Sequence, residues 1–353
     1  MPELNEGGVE RGCVELAREL VKKGVESVVI SKGGKLVEQL EKEGSKHIEV
    51  DVCSKNPLSA PLRIYRLREV LKELRADVVH VRSRVPAWML FFAKRGLDFK
   101  VISTVHGFNS VNFYSRIMTK ADRVICVSGA IREYIQKHYN TPSGKISVIP
   151  RGIDLVRFNP DNLDSSFMVE FKRRFDLEGK FIVSSVGRIT GLKDFETFIK
   201  SIAKIQKIQD DVVGLVVGGA REDKLEYFDG LKKLAEELNA NVKFVGSQTK
   251  IAEIYYLSDV VVSSSKKPES FGRSVAEALA LGTPVVASEH GGVLDIIRDE
   301  ENGLFFKMGD AEDLAKKILK ASGMRFDGYG YVKDNFSLEQ MVNKTLMVYE
   351  ELA

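Results

Sequence analysis

Short apolar runs alternate with amphipathic stretches along the whole chain. The runs are rich in valine and isoleucine, which is typical of strands buried on both faces of a parallel sheet. They predict six strands in each half of the chain, namely Ser27–Ile30, Ile48–Val50, Val78–Val81, Val101–Val105, Arg123–Val127, Ile146–Ile149, Phe181–Val186, Val212–Val217, Val242–Val245, Val260–Ser264, Pro284–Ala287 and Gly303–Phe306.

The stretches between these runs place their apolar residues at helical spacing. They predict the helices Val9–Lys22, Leu36–Lys42, Leu62–Leu74, Ala87–Arg95, Ala130–His138, Phe195–Gln206, Lys224–Leu238, Ile251–Leu257, Gly272–Leu281, Val293–Arg298, Ala311–Ala321 and Leu338–Leu352. Strand and helix alternate in this way in both halves, which indicates an α/β fold with two doubly wound parallel sheets.

A chain of 353 residues is long for one hydrophobic core and suits two domains. The turn-forming residues of Phe158–Asp161 follow the last predicted strand of the first half. We therefore expect one Rossmann-like domain over residues 1–158 and a second over residues 159–335. The last segment, residues 336–353, is expected to form a helix that packs back toward the N-terminal domain.

Charge is distributed unevenly between the two halves. Residues 1–155 carry 26 Lys and Arg against 18 Asp and Glu, a net charge of +8, whereas the rest of the chain has a net charge of −5. The basic half indicates an anionic partner such as phospholipid headgroups or a phosphorylated acceptor; the alternative is that the charges only solvate an ordinary surface. The candidate contacts are Arg63, Arg66, Arg82, Arg84, Lys94 and Arg95.

The sequence also favours a cytoplasmic location. No apolar run reaches the roughly 18 residues that a membrane span needs, and no signal peptide is recognisable. Cys13, Cys53 and Cys126 are isolated cysteines without pairing motifs, as expected for buried thiols in a reducing compartment. Nothing in the pattern indicates a nucleic-acid partner.

The segment Pro268–Leu279 joins a predicted strand to a predicted helix, and ligands of open α/β sheets bind at such carboxyl ends of strands. The backbone amides at the start of the helix can face a phosphate or sugar hydroxyls. Glu269 and Glu277 can accept hydrogen bonds from ribose and sugar hydroxyls. The alternative is that Glu277 is a solvated helix residue and Glu269 an ordinary loop charge.

A second loop of the same kind contains Gly187, Arg188 and Lys193, which follow a buried strand and precede a helix. Its two cations can converge on a diphosphate, Arg as a planar fork and Lys as a point charge, unless both are solvated surface residues. Two glycine pairs, Gly218-Gly219 and Gly291-Gly292, also follow strands and permit close backbone approach to a ligand or form plain turns.

Among the five histidines, His106 is the best candidate for the active site, because it directly follows the strand Val101–Val105. Structural or surface roles are favoured for the remaining four. The sequence contains no cluster of residues with metal-ligand spacing, so no metal is expected. It also lacks the GxSxG, Walker A and GxGxxG motifs, which disfavours hydrolases, kinases and dehydrogenases.

These motifs together resemble the retaining glycosyltransferases of family 4, which have the GT-B fold of two Rossmann-like domains facing a central cleft. The span Glu269–Glu277 is similar to their EX7E motif, Gly187-Arg188 with Lys193 to their diphosphate-binding pair, His106-Gly107 to their acceptor-side loop and Gly7-Gly8 to their first glycine loop. The stretches His80–Trp88 and Val148–Asp154 resemble a bacterial subgroup linked to lipopolysaccharide and other surface glycans.

The resemblance implies that the N-terminal domain binds the acceptor and the C-terminal domain binds a nucleotide sugar. Arg188 and Lys193 would hold the donor diphosphate, Glu277 the ribose, and Glu269 the donor sugar. Catalytic roles would fall to His106, Arg188, Lys193 and Glu269, with no metal and no cofactor beyond the donor. The acceptor would be a glycan or a lipid-linked molecule. The basic first half, rather than the resemblance, is the reason to expect peripheral contact with an anionic membrane at its inner face. The donor-binding set is Gly8, Gly187, Arg188, Lys193, Glu269, Ser270, Phe271, Gly272 and Glu277.

The sequence departs from the family at two places. Arg151 stands where the family often has Asn. Only Met1–Glu6 precede Gly7-Gly8, where the family has an apolar strand at the centre of the first sheet, so we expect that the natural chain begins upstream. Without that strand, either its neighbours close up and displace the Gly7-Gly8 loop, or an open slot remains. The alternatives are a non-catalytic GT-B module, or an epimerase or phosphorylase of the same architecture.

Overall fold

The structure, a computed structural model, describes residues 1–5 and 7–352 and divides into two compact units. Unit 1 comprises Met1–Gly152 together with the C-terminal segment that starts at Leu338, and unit 2 comprises Ile153–Ser337. In the described part of the chain, no helix has the length and apolar character needed to cross a membrane.

Unit 1 begins with alternating helices and strands. They are α1 (Gly8–Lys22), β1 (Val28–Ser31), α2 (Val37–Lys42), β2 (Lys46–Glu49), α3 (Ala60–Leu74), β3 (Val78–Val81), α4 (Arg84–Ala93), β4 (Lys100–Val105), α5 (Phe113–Arg116), β5 (Arg123–Cys126), α6 (Gly129–Tyr139) and β6 (Ile146–Val148). The strands form a parallel pair, β1-β2, and a parallel four-stranded sheet in the order β3-β4-β5-β6.

Unit 2 has one six-stranded parallel sheet in the order β12-β11-β10-β7-β8-β9. Its elements are α7 (Ser165–Phe175), β7 (Phe181–Val186), α8 (Phe195–Ile205), β8 (Val212–Val217), α9 (Leu225–Glu237), β9 (Val242–Gly246), α10 (Ile251–Leu257), β10 (Val260–Ser263), α11 (Arg273–Ala280), β11 (Val285–Ser288), β12 (Gly303–Phe306), α12 (Ala311–Ala321) and α13 (Gly328–Phe336). The final helix, α14 (Leu338–Glu350), belongs to unit 1.

The core of unit 2 follows from its apolar strands. Every residue of β8 is buried, because helices cover the sheet on both faces. On one face α8 contributes Phe195, Phe198 and Ile202, all fully buried, and Asp194 caps the start of this helix by accepting from the Thr197 amide. This rigid sheet positions the loops that follow β7 and β10.

All twelve predicted strands are present, each within two residues of its predicted bounds. The helix predicted over Val293–Arg298 is wrong. The segment forms a short 3-10 helix, Gly292–Asp295, and Gly291 and Gly292 lie in close contact with the neighbouring loop that carries Glu269. The helices α5, α7 and α13 were not predicted.

A slot separates β1 from β3, since the described residues form no hydrogen-bonded ladder between the two sheets of unit 1. It contains a cavity of about 460 Å³ lined by both strands and by residues of α1, α3 and α14. The first residues run alongside the end of β1, where the Met1 ammonium donates to the Ile30 carbonyl at 2.9 Å and the Lys32 amide donates to the Pro2 carbonyl at 3.0 Å. Of the two arrangements expected at this place, closed-up neighbouring strands or an open slot, the structure has the open slot.

Candidate active site

Two loops at the carboxyl ends of β7 and β10 bring a cation and a carboxylate together in unit 2. Lys193 Nζ lies 2.5 Å from Glu269 Oε1, and Ser265 Oγ donates to the same oxygen at 2.7 Å. The Lys193 stem lies across Gly187, where a Cβ would come within 3.0 Å of its Cε atom. The arrangement presents an ammonium group beside a fixed carboxylate at the edge of the sheet where α/β proteins bind ligands.

The loop that carries Lys193 is tied to the end of β10. Ser264 Oγ donates to the carbonyls of Lys193 and Asp194 at 2.9 and 3.1 Å, and the Lys266 amide donates to the Leu192 carbonyl at 2.8 Å. The Lys266 ammonium also pairs with the buried Asp194 carboxylate at 2.9 Å. These contacts fix the backbone of the loop, so that the Lys193 side chain is already directed at Glu269.

The loop that carries Glu269 is held by the glycine pair after β11. The Gly292 amide donates to the Glu269 carbonyl at 2.7 Å, and a Cβ on Gly291 or Gly292 would come within 2.6 Å of this loop. Gly272 ends the loop with φ at +95°, and a Cβ there would come within 2.6 Å of Val293. Gly291-Gly292 therefore allows the loop after β11 to pack closely against the loop that carries Glu269.

Three further candidates of the donor-binding set lie on these loops. Arg188 follows Gly187 directly and its side chain is exposed. Phe271 is buried and packs against Phe336 with ring centroids 6.0 Å apart. Ser270, between Glu269 and Phe271, is half-buried, and its carbonyl lies close to Gly292. The Phe271 side chain is thus part of the packing, which leaves its backbone as the group available to a ligand.

Glu277 lies on α11 and is bound at both carboxylate oxygens. Arg273 Nε donates to Oε1 at 2.9 Å, and the Tyr255 hydroxyl donates to Oε2 at 3.3 Å. Burial raises the pKa of Glu277, and the Arg273 guanidinium offsets this only in part. The described contacts join Glu277 to these two side chains and do not join it to Glu269.

Glu269 differs from Glu277 in its electrostatics. Burial acts to raise its pKa, but the adjacent Lys193 ammonium and the hydrogen bonds from Lys193 and Ser265 outweigh burial, so the pKa of Glu269 lies below its ordinary value. The carboxylate is therefore ionised at neutral pH, and it can accept hydrogen bonds from sugar hydroxyls.

Four residues of this site were not predicted as site residues: Ser265, His290, Arg273 and Tyr255. His290 Nε2 donates to the carbonyl of Ser265 at 2.8 Å, and the hydroxyl of Ser265 in turn donates to Glu269. The spacing of Arg273 and Glu277 by four residues on a predicted helix is a signal for their pairing. No pattern in the sequence connects Tyr255 or His290 to the loops, because strand order brings them there.

In unit 1, His106 follows β4 and lies between two arginines. Arg82 Nε donates to His106 Nε2 at 3.2 Å, and Arg151 Nη2 lies 3.4 Å from Nδ1. Arg151 Nη1 lies 3.5 Å from the position that a Cβ on Gly8 would occupy, at the start of α1. Burial, together with the charges of Arg82 and Arg151, lowers the pKa of His106 well below its ordinary range, so the ring is neutral at pH 7.

This pKa shift predicts a pH dependence of stability. The unfolded chain protonates His106 as the pH falls through about 6.5, whereas the folded chain does not until a lower pH. Acidification below about 6.5 therefore lowers the free energy of unfolding of unit 1, by up to about 1.4 kcal/mol per pH unit for this residue. His80 is shifted in the same direction and contributes alongside it.

Urea unfolding at a series of pH values between 7.5 and 5.0 measures this effect. His106→Gln keeps an acceptor for Arg82 but has no titrating ring, so its unfolding free energy should fall less steeply over this interval than that of the parent chain. Equal slopes for the variant and the parent would contradict the assignment.

The described residues contain no group of three or more His, Cys, Asp or Glu side chains able to hold a metal ion. Both candidate regions contain cations that can contact an anionic ligand, Arg188 and Lys193 in unit 2 and Arg82 and Arg151 in unit 1.

Models of two protein families match the chain, one to each half. The family described as "Glycosyltransferase Family 4" matches residues 6–157, and the family described as "Glycosyl transferases group 1" matches residues 169–325. An uncharacterised glycosyltransferase of Methanocaldococcus jannaschii is 27% identical over 98% of this chain and 94% of that protein. The D-inositol 3-phosphate glycosyltransferase of Salinispora tropica is 31% identical over 252 residues, which span 67% of this chain and 52% of that protein.

Solved structures show the same fold. The crystal structure of a glycosyltransferase from Rickettsia africae superimposes with a TM-score of 0.91 at 28% identity, covering 99% of this chain and 97% of that one. The Anabaena protein HepE, in complex with UDP-glucose, superimposes with a TM-score of 0.82 at 19% identity, covering all of both chains. The likenesses confirm the predicted fold class, two Rossmann-like parallel-sheet units of the GT-B type.

Proposed function

This chain belongs to the glycosyltransferases of family 4, and on that premise we propose that it transfers a sugar from a nucleoside-diphosphate sugar to a glycan or lipid-linked acceptor, with retention of anomeric configuration. The observation that carries the proposal is the pairing of Lys193 with Glu269 at the ends of β7 and β10. A cation for the diphosphate and a carboxylate for the sugar hydroxyls lie side by side on two fixed loops.

Unit 2 binds the donor. Arg188 and Lys193 hold the diphosphate, Glu277 accepts from the ribose hydroxyls, and Glu269 accepts from the donor sugar together with backbone amides of Phe271 and Gly272. Ser270 and Gly187 complete the two loops. Because HepE has been solved with UDP-glucose, uridine diphosphate sugars are the first donors to test.

Transfer proceeds on the front face of the sugar. The bond from the anomeric carbon to the diphosphate oxygen breaks, and the acceptor oxygen forms its bond on the same face. The departing diphosphate takes the proton of the acceptor hydroxyl, so the products are a glycoside and a protonated nucleoside diphosphate. Arg188, Lys193 and the start of α11 stabilise the negative charge that develops, and catalysis rests on positioning and electrostatics.

Unit 1 binds the acceptor, and the acceptor carries a phosphate or is linked to a lipid through one. Support comes from the two guanidinium groups beside His106, from the net charge of +8 over residues 1–155 and from the name of the Salinispora relative, an inositol phosphate glycosyltransferase. The products belong to lipopolysaccharide or another surface glycan, assembled in the cytoplasm at the inner face of the membrane.

The test is a transfer assay with a panel of uridine, guanosine and adenosine diphosphate sugars, in the presence and absence of a chelator. We expect release of nucleoside diphosphate and a new glycoside with the anomeric configuration of the donor, at a rate that the chelator does not change. Loss of activity on chelation with recovery on adding magnesium or manganese would contradict the metal-independent route. Epimerised donor with no acceptor consumed would indicate an epimerase instead.

A further inference from the structure

An exposed cluster of aromatic side chains surrounds Trp88 on unit 1. The Trp88 ring lies within 6.3 Å, centroid to centroid, of the rings of Phe91, Phe92, Phe113 and Tyr114. Phe113 is 77% exposed, and Phe91 and Phe92 are more than half exposed. We call these five residues the aromatic face. Large apolar side chains grouped on a surface mark an interaction site, because they cost free energy when left in water.

The aromatic face is built from two elements that hold it rigid. Trp88, Phe91 and Phe92 lie on α4, and Phe113 and Tyr114 begin α5. Trp88 Nε1 donates to the Tyr114 carbonyl at 3.0 Å, which fixes one element against the other. The exposed rings therefore lie on two short helices that this hydrogen bond joins.

A cavity of about 450 Å³ adjoins the aromatic face, with Phe91 in its wall. Apolar side chains such as Leu90, Leu97 and Ile117 line it, and the cations Lys94, Arg95 and Lys120 also border it. An apolar pocket with cations beside it suits an amphiphile whose headgroup is anionic.

The segment around the aromatic face is strongly basic. Residues 82–120 contain seven Lys and Arg but only one acidic residue, Asp98. Asp122, just beyond this segment, lies 3.5 Å from Lys94 and is the acidic side chain at the cavity. Arg95, Arg116 and Lys120 are exposed. The positive charge therefore coincides with the exposed rings.

The structure also shows where each of the six cations lies that the sequence suggested as contacts for anionic partners. Arg63 is buried and donates to the carbonyls of Asp51, Ser54 and Asn56, so its role is structural and its proposed contact is wrong. Arg82 is turned toward His106. Arg84 lies 5.5 Å from the Tyr114 ring centroid, and Lys94 and Arg95 border the cavity. Arg66 lies on α3, which packs against α4.

We propose that the aromatic face docks unit 1 on the surface of an anionic phospholipid bilayer. The rings of Phe91, Phe92 and Phe113 enter the interface between headgroups and acyl chains, and Lys94, Arg95 and Lys120 contact lipid phosphates. This location deepens the proposed function, on which it rests, because it brings unit 1 to a lipid-linked acceptor. Aromatic rings bind at this depth of a bilayer, and each cation close to an anionic surface adds to the binding.

The chain supplies its own probe, because Trp88 is its single tryptophan. We expect the full chain to co-sediment with vesicles of phosphatidylcholine and phosphatidylglycerol in a three-to-one mixture, and to bind pure phosphatidylcholine about ten-fold more weakly. The Trp88 emission should shift to the blue on binding and should be quenched by lipids brominated near the headgroup. High salt should weaken binding, because it screens the charges.

Two double variants separate the rings from the charges. Phe92→Ser with Phe113→Ser, and Arg95→Gln with Lys120→Gln, should each weaken binding to anionic vesicles about ten-fold or more. The matched controls lie on unit 2 at exposed positions, Val169→Ser with Ile208→Ser, and Lys200→Gln with Lys207→Gln. These controls should bind as the parent does, and thermal melts verify that every variant is folded.

Several results would overturn the proposal. They are equal binding to neutral and anionic vesicles, no change of Trp88 emission, or equal losses in the unit 2 controls. A dimer in solution that Phe92→Ser with Phe113→Ser dissociates, without vesicle binding by the parent, would assign the face to a second copy instead. The vesicle assay needs no donor or turnover. Transfer activity without vesicle binding would therefore refute the docking surface and leave the proposed function standing.

Discussion

An N-terminal extension of five alternating valine and isoleucine residues, placed directly ahead of Met1, is expected to raise the melting temperature of this chain by about 10 °C. The slot between β1 and β3 contains a cavity of about 460 Å³ with largely apolar walls. A strand that enters it removes apolar surface from water and pairs backbone groups on both neighbours, each of which costs about 1–3 kcal/mol when buried without a partner. A gain of a few kcal/mol raises the melting temperature of a unit of this size by about 2–4 °C per kcal/mol.

The direction of the chain at Met1 makes this extension suitable. The Met1 ammonium lies beside the Ile30 carbonyl, and the following residues run along the end of β1. Residues added ahead of Met1 therefore enter the slot parallel to β1. Burial lowers the pKa of this amino group, which means that the folded chain disfavours its charged form. A neutral peptide amide at the same place does not carry this cost.

The measurement is differential scanning calorimetry, with a glycine and serine extension of equal length as the control. The control also removes the terminal charge but has no apolar side chains to fill the cavity. We expect a much smaller shift for the control, and faster sugar transfer for the valine and isoleucine extension than for the parent. Equal melting temperatures for the two extensions would show that the slot does not accept a strand, and would contradict the assigned topology of unit 1.

Strands such as β8, β10 and β11 could be predicted because every residue in them is buried in a parallel sheet, so that their sequences read as nearly unbroken apolar runs. The helix α13 could not, because Gly328 and Gly330 weaken its helical pattern. The structure explains why position 328 is a glycine, because a Cβ on Gly328 would collide with the Leu279 carbonyl. For α7 the signal was present: Asp164 caps the helix, and Phe167, Phe171 and Phe175 repeat at intervals of four.

The candidate site could be predicted as a set of residues but not as a set of contacts. Lys193 and Glu269 each stand at a strand-to-helix loop, which the sequence indicates. Their pairing across 76 positions depends on β10 lying next to β7, and strand order cannot be read from apolar runs. The role of Gly291 and Gly292 depends on the same packing, so the sequence left a ligand contact and a plain turn as open alternatives.

Replacing Lys193 by methionine is expected to weaken binding of the donor by about 1.5–3 kcal/mol, because it removes one charge-assisted contact to the diphosphate. It should also destabilise unit 2, since Glu269 then keeps a largely buried charge without its cation. Breaking such a pair costs about 3–5 kcal/mol in a fully buried site. The cost should be smaller here, because both side chains are about a quarter exposed. Titration calorimetry and urea unfolding measure the two effects separately.

Arg188→Ala is the companion variant, because Arg188 is exposed and adjoins the same loop. We expect the same loss of donor affinity with an unfolding free energy within about 0.5 kcal/mol of the parent, as is usual for exposed positions. Lys200→Ala, an exposed cation on α8, is the control and should change neither quantity. Unchanged donor affinity in both Lys193→Met and Arg188→Ala would refute the assignment of the diphosphate site.

A double-mutant cycle tests whether Lys193 and Glu269 act as a pair. It combines Lys193→Met with a variant of Glu269. Glu269→Gln keeps the shape of the side chain and removes its charge, so the double variant with Lys193→Met no longer contains an unpaired buried charge. Its unfolding free energy should therefore recover part of the loss seen in Lys193→Met, whereas donor affinity should not recover, because neither change restores a cation to the diphosphate. If the two losses in stability simply add, the ion pair contributes nothing to holding the loops, and Lys193 is available to the donor without competition from Glu269.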